Sequence, residues 1–252
     1  SPAWPLSAWC RVALSSYGTA LLSVGSFYVH REMVVSLVMP SSGPLAGGTR
    51  VSLLVASLVA APQLRCRFEL LGARAVARRV GPSALECSSP PSAAVGARPV
   101  EVSLNGQQFS TSSGSARFSY RAAAVVSSAA PSCGTSVGGT PVTLVGRGFW
   151  RAPLASVRSV GGDPLLALVC AWNASVSGAS YASESALVCT SPATLRAGEA
   201  IVEVSINGRE YTSGGVQFEV LAVSVRLVSP WSGPERGGTL LTVGGSHVAR
   251  LV

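Results

Sequence analysis

The phrase Pro-x-x-Gly-x-x-x-Gly-Gly-Thr occurs three times in this 252-residue chain, each time leading into an apolar run. The copies are Pro40-Ser-Ser-Gly-Pro-Leu-Ala-Gly-Gly-Thr49, Pro131-Ser-Cys-Gly-Thr-Ser-Val-Gly-Gly-Thr140 and Pro230-Trp-Ser-Gly-Pro-Glu-Arg-Gly-Gly-Thr239. Their threonines stand 91 and 99 positions apart. That period is too long for a solenoid and suits one small β-sandwich per copy. The repetition therefore predicts similar beads strung along one chain.

A second signature recurs late in each copy. Cys87-Ser-Ser-Pro90 precedes Pro99-Val-Glu-Val-Ser-Leu-Asn-Gly106 and Arg117-Phe-Ser-Tyr120, while Cys189-Thr-Ser-Pro192 precedes Ala200-Ile-Val-Glu-Val-Ser-Ile-Asn-Gly208 and Val216-Gln-Phe-Glu-Val220. Val100, Val102 and Leu104 alternate with Glu101 and Ser103, as Val202, Val204 and Ile206 alternate with Glu203 and Ser205. This is the period of a strand with one buried and one open face. Asn-Gly ends each run and signals a hairpin turn, because both residues tolerate positive φ.

The chain ends cut through the repeats. Ser1-Pro2 matches Ser89-Pro90, Val12-Ala-Leu14 matches the penultimate strand, and Phe27-Tyr28-Val29 the closing one. Residues 1–33 are thus expected to be the C-terminal part of a repeat, 34–121 and 122–221 complete repeats, and 222–252 the N-terminal part of another. The fold class expected is all-β, in a fragment of a longer repeat protein.

The order of the Gly-Gly-Thr phrase, an apolar strand, Gly146-Arg-Gly-Phe149, Cys170, Cys189-Thr-Ser-Pro192, the Val-Glu-Val-Ser run and a closing Phe-x-Val resembles the IPT/TIG domain. This is the immunoglobulin-like module of plexins, hepatocyte-growth-factor-type receptors, fibrocystin-like surface proteins and Rel-type transcription factors. The resemblance covers nearly the whole chain and implies tandem immunoglobulin-like sandwiches of a fibrocystin- or plexin-like cell-surface protein. It leaves function open, since the module serves adhesion, receptors and DNA-binding proteins alike. Repeat 34–121 departs from the pattern: Ala56-Ser-Leu58 stands where the other repeat has Gly146-Arg-Gly148, which puts the turn after that strand in question.

Composition narrows the context. With 48% hydrophobic and 12% charged residues, 27 Gly and 16 Pro, the chain suits short strands and tight turns and is not a disordered one. No stretch reaches the roughly 18 apolar residues of a membrane span. The longest, Val51 to Ala61, reads as a buried strand rather than a signal-peptide core. The formal charge is +8, every one of the 19 basic residues is arginine, and Asp163 is the sole aspartate. A basic surface attracts polyanions. The one local cluster is Arg65, Arg67, Arg74, Arg78 and Arg79, which reads first as an arginine-bearing solvated sheet face and second as a patch for acidic glycans. Nucleic acid is not expected, for no recognition helix, zinc site or aromatic-basic platform accompanies the arginines.

Cys66 and Cys87 occupy the same relative places as Cys170 and Cys189. Equivalent pairs in equivalent modules predict one disulfide per repeat, each closing about 20 residues and stabilising by roughly 3 kcal/mol in the chain-entropy model. Such usage points outside the cell; a metal pair would lack third and fourth ligands. Cys10 and Cys133 are left over. Asn173-Ala-Ser175 is the one Asn-x-Ser/Thr sequon and is expected to carry an N-glycan in a secreted protein. Ser88-Ser-Pro-Pro-Ser92 resembles the serine-proline stretches of algal and plant surface proteins, and reads equally as a Pro-rich turn between strands.

Enzymatic readings lack parts. His30 and His247 both fall in the incomplete end repeats, and there is no lysine. No Ser-His-Asp, Cys-His or Ser-Lys arrangement assembles within a complete repeat, and one aspartate cannot build cadherin-like calcium sites. Gly146-Arg-Gly-Phe-Trp150 lacks the lysine and following helix of a phosphate loop, and Asn207-Gly-Arg209 is a turn before it is a cell-attachment tripeptide. No cofactor is expected. The function expected is that of a non-enzymatic spacer and interaction scaffold at an extracellular or cell surface, algal or flagellar surfaces included. Its expected partners are other subunits, neighbouring repeats or acidic glycans. The alternatives are a plexin-like receptor ectodomain and an accessory module of a polysaccharide-active enzyme.

Overall fold

The computed structural model describes residues 7–16, 19–69, 72–110, 116–151 and 168–247. Strands and turns account for these residues without any helix. The chain divides into two compact units, the first of Ser1–Ser41 and Ala46–Tyr120 and the second of Ser42–Leu45 and Arg121–Val252.

Ahead of the first complete repeat, β1 (Ala8–Ser16) and β2 (Thr19–Val29) form an antiparallel pair. The repeat itself runs through β3 (Val34–Met39), β4 (Ser42–Pro44), β5 (Arg50–Ala56), β6 (Arg65–Phe68), β7 (Arg74–Arg79), β8 (Ala84–Ser88), β9 (Gly96–Ser103) and β10 (Arg117–Arg121). Their hydrogen-bonded order is β3-β5-β8-β7-β6-β9-β10-β4. The second repeats the plan with β11 (Val125–Ala130), β12 (Cys133–Thr135), β13 (Pro141–Arg147), β14 (Val169–Trp172), β15 (Ser175–Ser183), β16 (Ala186–Thr190), β17 (Gly198–Ser205) and β18 (Val216–Leu221), ordered β11-β13-β16-β15-β14-β17-β18-β12. β7 changes partner midway: Arg74 to Val76 pair with β6, and Ala77 to Arg79 with β8. That strand folds one continuous ladder into the two layers of a sandwich.

Alternation along the strands fills the space between layers. Val51, Leu53 and Val55 from β5 are fully buried, and so are Cys66, Phe68, Val100, Val102 and Phe118 on the strands of the other layer. Phe118 makes edge contacts with Phe68 and Tyr120 at centroid distances of 5.4 and 5.0 Å. In the second repeat Trp172 packs edge-on against Phe218 at 5.1 Å, amid Val142, Leu144, Leu187 and Val204. Rings met edge to face gain beyond the area they bury.

The two recurrent sequence phrases are halves of one contact. Gly48 N donates to Ser89 O at 2.7 Å, Ser89 N to Thr49 O at 2.8 Å, and Thr49 N to Ser89 Oγ at 3.2 Å. Gly139, Thr140 and Ser191 repeat the set at 2.8, 2.9 and 3.1 Å. Both glycines of each pair have positive φ, a conformation in which a Cβ is costly.

A third hairpin, β19 (Ser224–Ser229) on β20 (Thr242–Ser246), keeps the register of the first two. Val225 faces Gly245 and a bulge follows, as Val126 faces Gly146 and Val35 faces Val55. This register corrects the sequence match at the turn by one residue, because Val55 to Ser57, not Ala56 to Leu58, correspond to Gly146 to Gly148. Ser57, Gly148 and His247 hold the same left-handed position, at φ of 59°, 74° and 59°. A Cβ on Gly146 would stand 2.0 Å from Val125 O and 2.6 Å from the Phe149 ring; the first repeat has the fully buried Val55 at this register position.

Two further expectations are corrected. Glu101, Ser103 and Ser205 are buried rather than on an open face, because side chains and turns from beyond the strand cover it. The Asn-Gly pairs do not join two strands by a two-residue loop. Asn105 Oδ1 accepts from Gln107 N and Gln108 N at 2.9 and 3.2 Å, and Asn207 Oδ1 from Arg209 N and Glu210 N at 3.0 and 3.2 Å. The asparagine side chain thus closes a wider turn.

Candidate functional site

The cysteines occupy the fold's most constrained corner. Cys66 on β6 faces Ala75, and Cys87 on β8 faces Ala77, so the two cysteines flank the point where β7 passes from one layer to the other. They are bonded, with Cα atoms 6.5 Å apart. Cys170 faces Ser177, Cys189 faces Ala179, and these two are bonded at a Cα separation of 6.2 Å. Each bond ties layer to layer across 21 and 19 residues of sequence. Neither bond includes Cys10 or Cys133.

The arginine cluster lies along β6 and β7, where every member has an intramolecular partner. Arg67 faces Glu101 across the ladder; its Nε donates to Glu101 Oε2 at 2.8 Å and its Nη2 to the same oxygen. Its guanidinium lies 4.1 Å from the Phe109 ring centroid, and that of Arg74 lies 5.6 Å from the same ring. Stacking on an aromatic face and pairing with a carboxylate suit the planar guanidinium. Arg74 also donates to Gly106 O at 2.9 Å. Arg65 donates to Leu64 O, Arg78 to Glu86 Oε2, and Arg79 to Gly81 O and Pro82 O. Arg67 and Arg74 are therefore part of a built surface layer; Arg65 and Arg67 are half-buried, and Arg74, Arg78 and Arg79 are the exposed members of the cluster.

The residue pattern missed Glu101, Phe109 and their counterparts in the second repeat. Glu203 there accepts from the Thr212 hydroxyl and from Gly214 N and Gly215 N, the latter at 2.7 Å. The signal was the glutamate repeated in Val-Glu-Val-Ser, readable only as a strand's outer residue until the register supplied its partner. Tyr120 was also missed. Its hydroxyl donates to Pro90 O at 2.8 Å, and burial, reinforced by Glu69 and opposed by Arg98, pushes its pKa from the usual 10 up to about 12.

Asn173 sits exposed in the two-residue turn between β14 and β15, at φ 51°. Asparagine tolerates that conformation better than most residues. Its backbone N–H donates to Ile201 O at 3.0 Å, and its side-chain Oδ1 accepts from Ile201 N at 2.8 Å. Ser175, the third sequon residue, shares a 2.7 Å hydrogen bond with the Thr194 hydroxyl.

Other candidates are dispersed. His30 Nδ1 lies 2.7 Å from Arg31 O, and His247 Nδ1 lies 3.2 Å from Ala222 O. Asp163 and Ser1-Pro2 lie outside the described residues. Among the described residues no group of three or more His, Cys, Asp and Glu side chains is placed to hold a metal ion. Among these same residues no helix is long and apolar enough to cross a membrane. Ser89 is buried in the Gly-Gly-Thr contact and Pro90 O takes the Tyr120 hydroxyl, so two of the five residues of the serine-proline stretch serve the fold.

Among solved structures the chain is similar to the full extracellular region of plexin A4, domains 1 to 10, at 17% identity and a TM-score of 0.52. The match covers 86% of this chain and 18% of that one, so the chain spans less than a fifth of the plexin region. A second plexin A4 structure, with domains 1 to 8, matches at 16% identity and a TM-score of 0.44, over 75% of this chain and 18% of that one. The Escherichia coli adhesin FdeC matches at 13% identity and a TM-score of 0.28, over 86% of this chain and 74% of that one. The family described as IPT/TIG domain matches residues 33–120 and again 124–220. With two tandem matches over most of its length and the corresponding sandwiches in place, the chain belongs to the IPT/TIG domain family.

Proposed function

We propose that the chain is a non-enzymatic structural and adhesive segment of a large extracellular or cell-surface repeat protein, acting as spacer and as interaction scaffold within an assembly. One observation carries this reading: both complete repeats have a disulfide between their layers at the same corner. Disulfides persist in oxidising compartments, and each of these stabilises by about 3 kcal/mol in the chain-entropy model. The connectors 122–124 and 222–223 are short, which suits a spacer. Residues 1–33 and 222–252 are parts of two further repeats in this reading, supported by the β1–β2 pairing and by the register of β19 on β20. Other subunits or neighbouring repeats would extend the end strands of each ladder, β3 and β4 or β11 and β12. An acidic glycan would meet the exposed Arg74, Arg78 and Arg79 rather than the half-buried Arg67. An algal or flagellar location rests on Ser88 to Ser92 alone, with Pro91 its exposed proline.

Single-molecule stretching tests the spacer role. Under oxidising conditions each complete repeat should unfold in one event that leaves residues 66–87 or 170–189 unextended, and a reductant should lengthen each event by that loop. Events of full length without reductant would remove the disulfide-locked spacer from consideration.

A further inference from the structure

The two complete repeats present the same outer sheet face in different states. In the first, Arg67 lies between Glu101 on one neighbouring strand and Arg74 on the other, and Phe109 covers the group. In the second, the register puts Ala171 in the place of Arg67, between Glu203 and Val176. Val176 thus replaces Arg74, and Tyr211 replaces Phe109, as shown by Ser110 and Thr212 each donating to the preceding ladder at Val102 O and Val204 O. The long cationic side chains that cover the first face are missing from the second. Val176 is left 56% exposed and Ile201 49%. Exposed apolar side chains taken singly need no explanation. Here, however, both adjoin Asn173: its backbone N–H and Oδ1 bond the main chain of Ile201, and Val176 stands three residues on, across the turn.

We infer that Asn173 carries an N-linked glycan whose first sugars lie over Ile201 and Val176, on the face where the second repeat has no counterpart of the Arg67 and Arg74 side chains. The inference rests on the extracellular reading above. The Oδ1 bond to Ile201 N fixes the side-chain amide in plane, and no hydrogen bond engages Nδ2 among the described residues. A sugar on Nδ2 therefore disturbs no contact of the turn. In the transfer, Nδ2 attacks the anomeric carbon of an N-acetylglucosamine-terminated oligosaccharide carried on a polyprenyl diphosphate. The carbon–nitrogen bond forms, the bond from that carbon to the diphosphate oxygen breaks, and the polyprenyl diphosphate leaves with the electron pair of that bond and takes up the proton that Nδ2 loses. The apolar face of the pyranose ring then shields the two aliphatic side chains.

The full chain, secreted from a eukaryotic host, gives the test by two readouts. Peptide mapping before and after enzymatic release of N-glycans should find Asn173 glycosylated and, once released, converted to aspartate. Ser175→Ala should abolish the modification, and Ser175→Thr should keep it. Carbene footprinting should label Val176 and Ile201 strongly in the released protein and lose that labelling in the glycoform. A secreted chain with both disulfides intact and an unmodified Asn173 would overturn the inference while leaving the extracellular reading in place. A glycosylated chain whose Val176 and Ile201 label as strongly as in the released protein would overturn the covering role.

Discussion

Gly47 lies so close to Pro90 that a Cβ on the glycine would stand 2.6 Å from the proline carbonyl carbon, and Gly138 stands in the same relation to Pro192, at 2.7 Å. The neighbouring Gly48 and Gly139 have open space where a Cβ would go, although φ is positive at all four. The first glycine of each pair is therefore fixed by backbone-to-backbone contact as well as by conformation, and the second by conformation alone.

Gly47→Ala should accordingly cost about 2 kcal/mol more than Gly48→Ala, since the neighbour is main chain and cannot yield like a flexible side chain. Urea unfolding of the two variants checks this. Equal losses would mean that the Ser89-Pro90 segment moves aside.

Arg67→Ala strands the buried Glu101 carboxylate and should destabilise the first complete repeat by about 3 kcal/mol, the range for breaking one partner of a buried pair. Replacing Arg67 and Glu101 together by Met and Leu should recover most of the loss. A double variant as unstable as the single one would show that the pair itself stabilises the repeat.

Tyr120 should titrate late. Its folded pKa is raised above the unfolded value, so its contribution is fully present below pH 10 and fades as pH rises toward about 12, to a limit of about 3 kcal/mol. Phenolate absorbance should show one tyrosine ionising well after the exposed ones. Tyr120→Phe should lose the hydrogen bond to Pro90 and flatten the alkaline part of the stability profile.

Ser57 occupies a left-handed position that Gly148 fills in the second repeat. Ser57→Gly should therefore stabilise the first complete repeat by about 0.5 to 1 kcal/mol, the strain relieved less the chain entropy added. Thermal unfolding of the variant measures the difference, and a loss of stability would contradict the assignment of strain.

Much of this was legible in the sequence because the sequence repeats. Equivalent cysteines in equivalent phrases announced Cys66–Cys87 and Cys170–Cys189, and the alternation of Val100 and Val102 announced the core face. Less legible were contacts that join distant segments. Thr49 and Ser89 are 40 residues apart and Thr140 and Ser191 are 51 apart, so the Gly-Gly-Thr and Ser-Pro phrases looked like separate turn signals. Glu101 read as solvent-facing because its cover, Arg67 and Phe109, comes from other parts of the chain. The turn at Ser57 was displaced by one residue because a strand run without glycine gives no marker for the left-handed position. Asn173 could be named from its motif, but its apolar neighbours Val176 and Ile201 follow only from the register of β14 with β15 and β17.

The most direct measurement is non-reducing peptide mapping of the chain after passage through a secretory pathway. Each complete repeat should yield one linked pair, Cys66 with Cys87 and Cys170 with Cys189, with no exchange between repeats. Four free thiols at these positions would contradict the disulfide-locked, extracellular sandwich on which the account depends.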